Sequence, residues 1–414
     1  MQDETVARAR AHRSELSGVT FVAITGSCGK TTTKDLATGL LRPTLPGSSN
    51  PGSGNCGVEL VEHLLAVEPR HRFCIQELGA WGPGTLDAGL ELVQPDIGVV
   101  LNVRRDHYNA FHGIEHTQAE KAKVIECLPA TGTAILNADD PHVWAMRHRT
   151  RGRVLGFGSQ AEADFRVHEV RGDWPDRLSF TLSFDGEQYR VQTQLIGEHL
   201  VGSAAAAIVI AHTLGVTLEQ AIGRIADLPP TARRMSAVVT AGGIAFVRDD
   251  FKATSDSLGE LLRFLDRAKA ERKVAVIGRI SDHPGRSRPV YTSFAHAAAK
   301  VADLLVFVGE RPVSLWGGPR ESHDLAAELA GARAEVRLFA TVRDASRFLR
   351  RELRSGDLVA LKGSGAADHL ERILLVHQTA VRCWRAHCGR TLACDSCDLL
   401  ALAAEPEDAL AGTA

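Results

Sequence analysis

Neither sign of charge predominates in this chain. Its 48 Lys and Arg stand against 50 Asp and Glu, a formal net charge of −2 over 414 residues. Without a basic surplus there is no electrostatic footprint for nucleic acid, and none is expected as a partner. A long apolar run is missing too. The nearest approach, residues 200–216, contains a run of four alanines and is interrupted by Ser203 and His212. It predicts a buried helix, not a membrane span. Residues 1–16 carry charges of both signs and no apolar centre, so neither a secretion signal nor an anchor is expected. These absences point to a cytoplasmic protein that does not enter a membrane. The remainder, 44% hydrophobic and 24% charged, is ordinary for a globular chain. Its length calls for two or three domains.

The first strong signal is a glycine loop. An apolar run over residues 19–25 predicts a strand covered on both faces. It leads into Thr25-Gly26-Ser27-Cys28-Gly29-Lys30-Thr31-Thr32-Thr33 and then a helical stretch to residue 41. The strict phosphate-loop pattern asks for glycine where Ile24 stands. Strand, tight turn, Gly-Lys-Thr and helix remain. Backbone amides at the helix start would cradle phosphate, Lys30 would reach the β- and γ-phosphates, and Thr31 would hold Mg²⁺. ATP and Mg²⁺ are therefore expected ligands, with Gly26, Ser27, Cys28, Gly29, Lys30, Thr31 and Thr32 forming the cradle.

Strand runs at 73–77, 97–103 and 133–136 alternate with helical ones at 58–66 and 117–127, the mark of a doubly wound α/β domain. Alternating runs around Asp185-Gly186 predict a hairpin. Leu228-Pro229-Pro230 reads as a linker, and a second α/β pattern follows with strands at 244–247, 274–277, 304–308, 336–339 and 358–362. The expected fold class is α/β: a P-loop ATP-binding domain over 1–229, a Rossmann-like domain over 230–376, and a Cys-rich tail over 377–414.

The loop and the segments after it resemble the Mur ligases, amide-forming enzymes of peptidoglycan synthesis, and within them the D-alanyl-D-alanine-adding type. The resemblance runs from about residue 18 to 375 with the motifs in family order. It implies several roles. Glu77, in Gln76-Glu77-Leu78-Gly79-Ala80, is the acidic Mg²⁺ ligand, and His107, in Asp106-His107, is a metal-binding histidine. Lys121, fourteen positions further on, is the lysine whose carbamate helps to hold a second Mg²⁺. Lys123 is the alternative, and a solvated helix face accounts for either lysine. Asn137, in Asn137-Ala138-Asp139-Asp140-Pro141, matches the adenine contact, although the segment is also a good turn. Around His199 the match weakens, because Leu200 and Ser203 occupy positions where the family carries asparagine.

In the second domain the resemblance gives Arg234 to the nucleotide phosphate and Asp250 to the ribose. Lys252 is directed at the reacting phosphate, and Lys362 and Ser364 contact the incoming amine. Asn55, in the loop 50–57, is expected to face the substrate. Only some 17 residues precede the first strand, so the separate UDP-binding domain of the family is expected to be lacking.

Half of the eight cysteines, Cys383, Cys388, Cys394 and Cys397, crowd into one short segment. In a reducing compartment such clustering suggests a metal before disulfides. Four thiolates suit a structural Zn²⁺, with His387 able to replace one of them. An Fe–S cluster and free thiols are the alternatives. The tail is also a possible docking surface for a partner protein.

The expected reaction is ATP-dependent joining of a carboxylate to an amine, with an amino acid as the expected amine donor. It proceeds through an acyl-phosphate, releases ADP and phosphate, and requires closure of the second domain. Lys30, Glu77, His107, Lys121 and Lys252 are assigned the chemistry. Two alternatives stand beside this: a Mur-like subunit of a glutamine-dependent amidotransferase, and a nucleotide-dependent binding module that performs no ligation.

Overall fold

The computed structural model describes residues 2–105, 108–281, 283, 286–316, 333–386, 388–390 and 393–402. The chain divides into two compact units, residues 1–172 with 176–231, and residues 173–175 with 232–414.

The first unit is built on a nine-stranded sheet of order β2-β3-β1-β4-β5-β6-β7-β8-β9. Its strands are β1 (Thr20–Thr25), β2 (Gly47–Ser49), β3 (Phe73–Glu77), β4 (Ile97–Val100), β5 (Thr133–Asn137) and β6 (Arg153–Gly158), followed by β7 (Phe165–Arg171), β8 (Ser179–Phe184) and β9 (Glu187–Gln192). β1 is buried along all but its first residue and pairs in parallel with β3 on one side and β4 on the other. The strand order reverses there, so the loop leaving β1 lies at a topological switch point, where open α/β sheets bind ligands.

The predicted hairpin joins β8 and β9, with Phe184 opposite Glu187. Asp185 and Gly186 both have positive φ, 50° and 81°, the mirror-image turn that matches strand twist. The alanine-rich stretch forms the helix Val201–Thr213, buried from Ser203 to Ala211, and packs against the helix Lys30–Leu41. Small side chains allow that close approach. Among the described residues no helix is long and apolar enough to cross a membrane.

The second unit has a six-stranded sheet of order β10-β11-β15-β12-β13-β14. These strands are β10 (Ser236–Val239), β11 (Ala245–Asp249), β12 (Arg272–Ile277), β13 (Leu304–Val308), β14 (Glu335–Phe339) and β15 (Asp357–Lys362). β10 runs antiparallel to β11, and the remaining pairs are parallel. Three strands add to those read from the sequence, β2, β6 and β10. β2 and β10 are short edge strands of half-exposed residues, without the apolar run that marks a buried one. β6 lies inside the sheet, with its short apolar end broken by Gly156 and Gly158. β15 lies between β11 and β12, so the carboxyl ends of three consecutive strands adjoin.

Candidate functional site

The phosphate loop is held from below by Asn102. Its carboxamide accepts from Cys28 N at 2.9 Å and donates to Cys28 O at 3.1 Å, while its carbonyl accepts from Ser27 N at 3.1 Å. Gly29 ends the loop at φ 84°, as the N-cap of the helix Lys30–Leu41. A Cβ there would lie 2.7 Å from Ser203 Oγ, so backbone angle and space both require glycine. Lys30 Nζ donates to Gly26 O at 2.9 Å, which lays the ammonium over the loop. The sequence reading gave Asn102 no role; its place directly after the β4 run was the available signal.

Beside the loop, Thr31 Oγ1 donates to Glu77 Oε2 at 2.8 Å and Asn55 Nδ2 donates to Glu77 Oε1 at 2.9 Å. Thr31 and Glu77 are buried, 4% and 2% exposed. Asn55, expected to face substrate, thus has its amide on the carboxylate of Glu77. A further brace lies behind it. Lys34, buried within the same helix, donates to Asn50 O at 2.7 Å and Gly52 O at 2.9 Å. Asn50 in turn accepts from Glu77 N at 2.8 Å. Lys34 was not anticipated, because a lysine on an amphipathic helix ordinarily faces water.

Lys121 lies on the helix Ile114–Glu126 and is fully buried, so a solvated helix face does not describe it. Lys123 differs. Its ammonium sits 2.6 Å from Asp87 and 2.9 Å from Glu120. Burial there would lower its pKa, but hydrogen bonds to those carboxylates raise it on balance. A carbamate forms only on a neutral amine, and the pairing of Lys123 disfavours that state. His107 lies outside the described residues. Asn137 closes the end of β5: its amide donates to Leu101 O at 2.8 Å and its carbonyl accepts from Asp139 N at 2.9 Å.

In the second unit, Lys362 at the end of β15 is buried and pairs with Asp249 at the end of β11, 2.5 Å away. Asp250, the next residue, turns to the other face. There it is 1% exposed, 3.4 Å from Arg248 and 3.6 Å from Arg233. Burial pushes the Asp250 carboxyl up, against the pull of both arginines. The sequence reading chose Asp250 from the Asp-Asp pair and overlooked Asp249, Arg233 and Arg248. Arg234 stacks over the exposed ring of Phe251 at 4.3 Å, and Lys252 is half-buried beside it. Ser364 N donates to Asp368 Oδ2 at 2.7 Å, and Arg279 N donates to the same oxygen at 2.7 Å. Asp368 thus ties the loop after β15 to the loop after β12. Burial pushes its carboxyl up to about 6, against those backbone hydrogen bonds.

In the tail, Cys383, Cys388, Cys394 and Cys397 line one cavity together with Arg372. His387 lies outside the described residues.

A glycine loop at a switch point, a buried hydroxyl–carboxylate pair beside it and a second parallel α/β unit together define a P-loop enzyme of phosphoryl chemistry. The Mur ligase middle domain profile matches residues 24–211, and that of the Mur ligase glutamate ligase domain matches residues 233–365. The chain is 32% identical over 375 residues to UDP-N-acetylmuramoyl-tripeptide--D-alanyl-D-alanine ligase of Mycobacterium tuberculosis, covering 87% of this chain and 74% of that protein. The protein of the same name from Mycobacterium leprae is 28% identical over 386 residues, with the same coverage. Among solved structures, MurF of Acinetobacter baumannii superposes with a TM-score of 0.78 at 23% identity, over 91% of this chain and 80% of that one. MurF of Thermotoga maritima, solved with ADP, gives 0.76 at 23% identity, over 91% and 83%. The chain belongs to the Mur ligase family and is an ATP-dependent, ADP-forming ligase that makes an amide bond.

Two outcomes follow from this geometry. Asn102→Ala removes two loop hydrogen bonds worth about 1 kcal/mol each. The KM for ATP should rise about tenfold or more, read by initial rates across ATP concentrations; an unchanged KM would show that the loop holds its shape unaided. Asp249→Asn leaves the buried Lys362 charge unpaired and should lower unfolding stability by about 3 kcal/mol. Lys362→Met, which leaves the part-exposed Asp249 unpaired, should cost less. The double variant should lose less than the sum in urea denaturation.

Proposed function

We propose that this chain joins a peptide carboxylate to the amine of an amino acid or dipeptide of the D-alanyl-D-alanine kind, in the cytoplasm. The convergence of Thr31 and Glu77 at the mouth of the phosphate loop carries the reading. A hydroxyl and a carboxylate, both hard oxygen donors, meet there in a buried setting and fit magnesium. Thr31 and Glu77 would hold one ion, and His107 and the Lys121 carbamate a second. When bound, magnesium neutralises charge on the phosphates as the γ-phosphoryl group transfers.

The chain's own groups do the rest. The amides at the start of the helix, from Gly29 to Thr32, orient the phosphates, with Gly26 making the turn and Ser27 and Cys28 held in place by Asn102. Lys30 draws charge from the β- and γ-oxygens. Asn55 and Thr31 fix both oxygens of Glu77 before substrate arrives. Asn137 lines the adenine end. Arg234 and Lys252 supply positive charge to the phosphates, and Asp250 positions that segment through Arg233 and Arg248. The substrate carboxylate attacks the γ-phosphorus, ADP leaves, and the acyl-phosphate is opened by the amine with release of phosphate. Lys362 and Ser364, at the end of β15, receive the amine-bearing substrate. The tail, whose Cys383, Cys388, Cys394 and Cys397 line one cavity, binds zinc.

ADP release measured with mixed peptides and amines, followed by mass spectrometry of the product, tests the assignment. Lys30→Ala and Glu77→Ala should each abolish turnover, and near-native ligation by either would refute the site. ¹³C-bicarbonate should give a carbamate carbonyl resonance that Lys121→Arg removes and Lys123→Arg leaves. The reverse pattern would transfer the role to Lys123.

A further inference from the structure

Groups from outside the tail stand beside its cysteines. His369, Glu371 and Cys394 are all buried, and each offers a donor atom such that the three lie within 4.8 Å of one another. His369 Nε2 is 3.7 Å from Cys388 Sγ on the far side of the ring, and Nδ1, the nitrogen that would share an ion with Cys394, is 3.5 Å from Cys394 Sγ. Donors on adjacent corners of a zinc tetrahedron, with Zn–N near 2.1 Å and Zn–S near 2.3 Å, stand about 3.6 Å apart. Glu371 Oε1 accepts from Cys394 N at 3.0 Å. Its other oxygen, Oε2, is buried without a hydrogen-bond partner among the described residues, a costly state that a cation would relieve. Arg372 Nε donates to Cys394 Sγ at 3.2 Å.

We propose that the zinc of the tail is bound by a mixed set, His369, Glu371 and Cys394 with a second cysteine of the cavity, and not by four cysteines. This rests on the reading of the tail as a zinc site and of the β15 loop as the amine site. The two regions are contiguous. His369 directly follows Asp368, which holds the amides of Ser364 and Arg279. From the tail side, Asp395 pairs with Arg248 at 2.7 Å, and Arg248 with Asp250. The metal therefore fastens the tail to the turn that shapes the Lys362–Ser364 loop and acts as its brace.

X-ray absorption at the zinc edge, on the full chain purified without chelator, tests the ligand set. The expected result is one zinc per chain, with nitrogen or oxygen at about 2.0–2.1 Å beside sulfur at about 2.3 Å. A shell of sulfur alone overturns the mixed set while leaving the zinc tail intact. No bound metal, even after reconstitution with zinc chloride, overturns both. For the brace, hydrogen exchange is compared before and after zinc is stripped. Amides of residues 363–370 should exchange at least tenfold faster, with those of residues 26–31 unchanged; equal exchange at 363–370 overturns the brace. These readouts do not depend on turnover, so an inactive enzyme with a mixed shell would count against the ligase substrates alone.

Discussion

The first unit depends on holding one carboxylate, Glu77, in a fixed orientation where water hardly reaches it. A buried anion is costly unless its oxygens are engaged. Both are: Thr31 satisfies one and Asn55 the other. Because Thr31 belongs to the first turn of the phosphate-loop helix, that hydrogen bond joins the nucleotide cradle to the end of β3. The cost of burial becomes fixed geometry, and fixed donors need no rearrangement when charge moves in the transition state.

That arrangement has to be supported, and the support reaches well behind the donors. Lys34 ties down the carbonyls of Asn50 and Gly52, and Asn50 closes on the backbone of Glu77. Asn102 does the same for the loop on the β4 side. Each uses a side chain to satisfy backbone groups that no strand or helix pairs, the accounting that every buried irregular segment must meet. The segments nearest the chemistry are loops, yet side chains hold their backbone groups in place.

Much of this was legible in the residues. The phosphate loop, the strand ending at Glu77 and the Asp185-Gly186 turn depend on local chemistry: apolar continuity, glycine angles and the order of motifs. Lys34, Asn102 and Asp249 were not legible. Their roles come from contacts with partners 16, 74 and 113 positions away, which no local pattern reports. Asn55 shows the other limit, because loop position suggested a substrate contact and the fold turned its amide onto Glu77. The Asp-Asp pair of β11 shows a third. Which member faces inward depends on the pleat of a strand whose register is set by β15.

The second unit solves its own problem with paired charge. The ends of β11 and β15 pair Asp249 with Lys362, and Asp368 joins the loops beyond β15 and β12 through the amides of Ser364 and Arg279. On the opposite face Asp250 lies between Arg248 and Arg233, and Arg248 reaches on to Asp395 of the tail. Buried pairs of this kind add little net stability over an apolar core, but breaking one is expensive. They therefore specify a single arrangement of the strand ends more than they strengthen the fold. The tail takes part in that specification through Asp395 and Cys394, so it is an integral piece of the unit that holds the β15 loop.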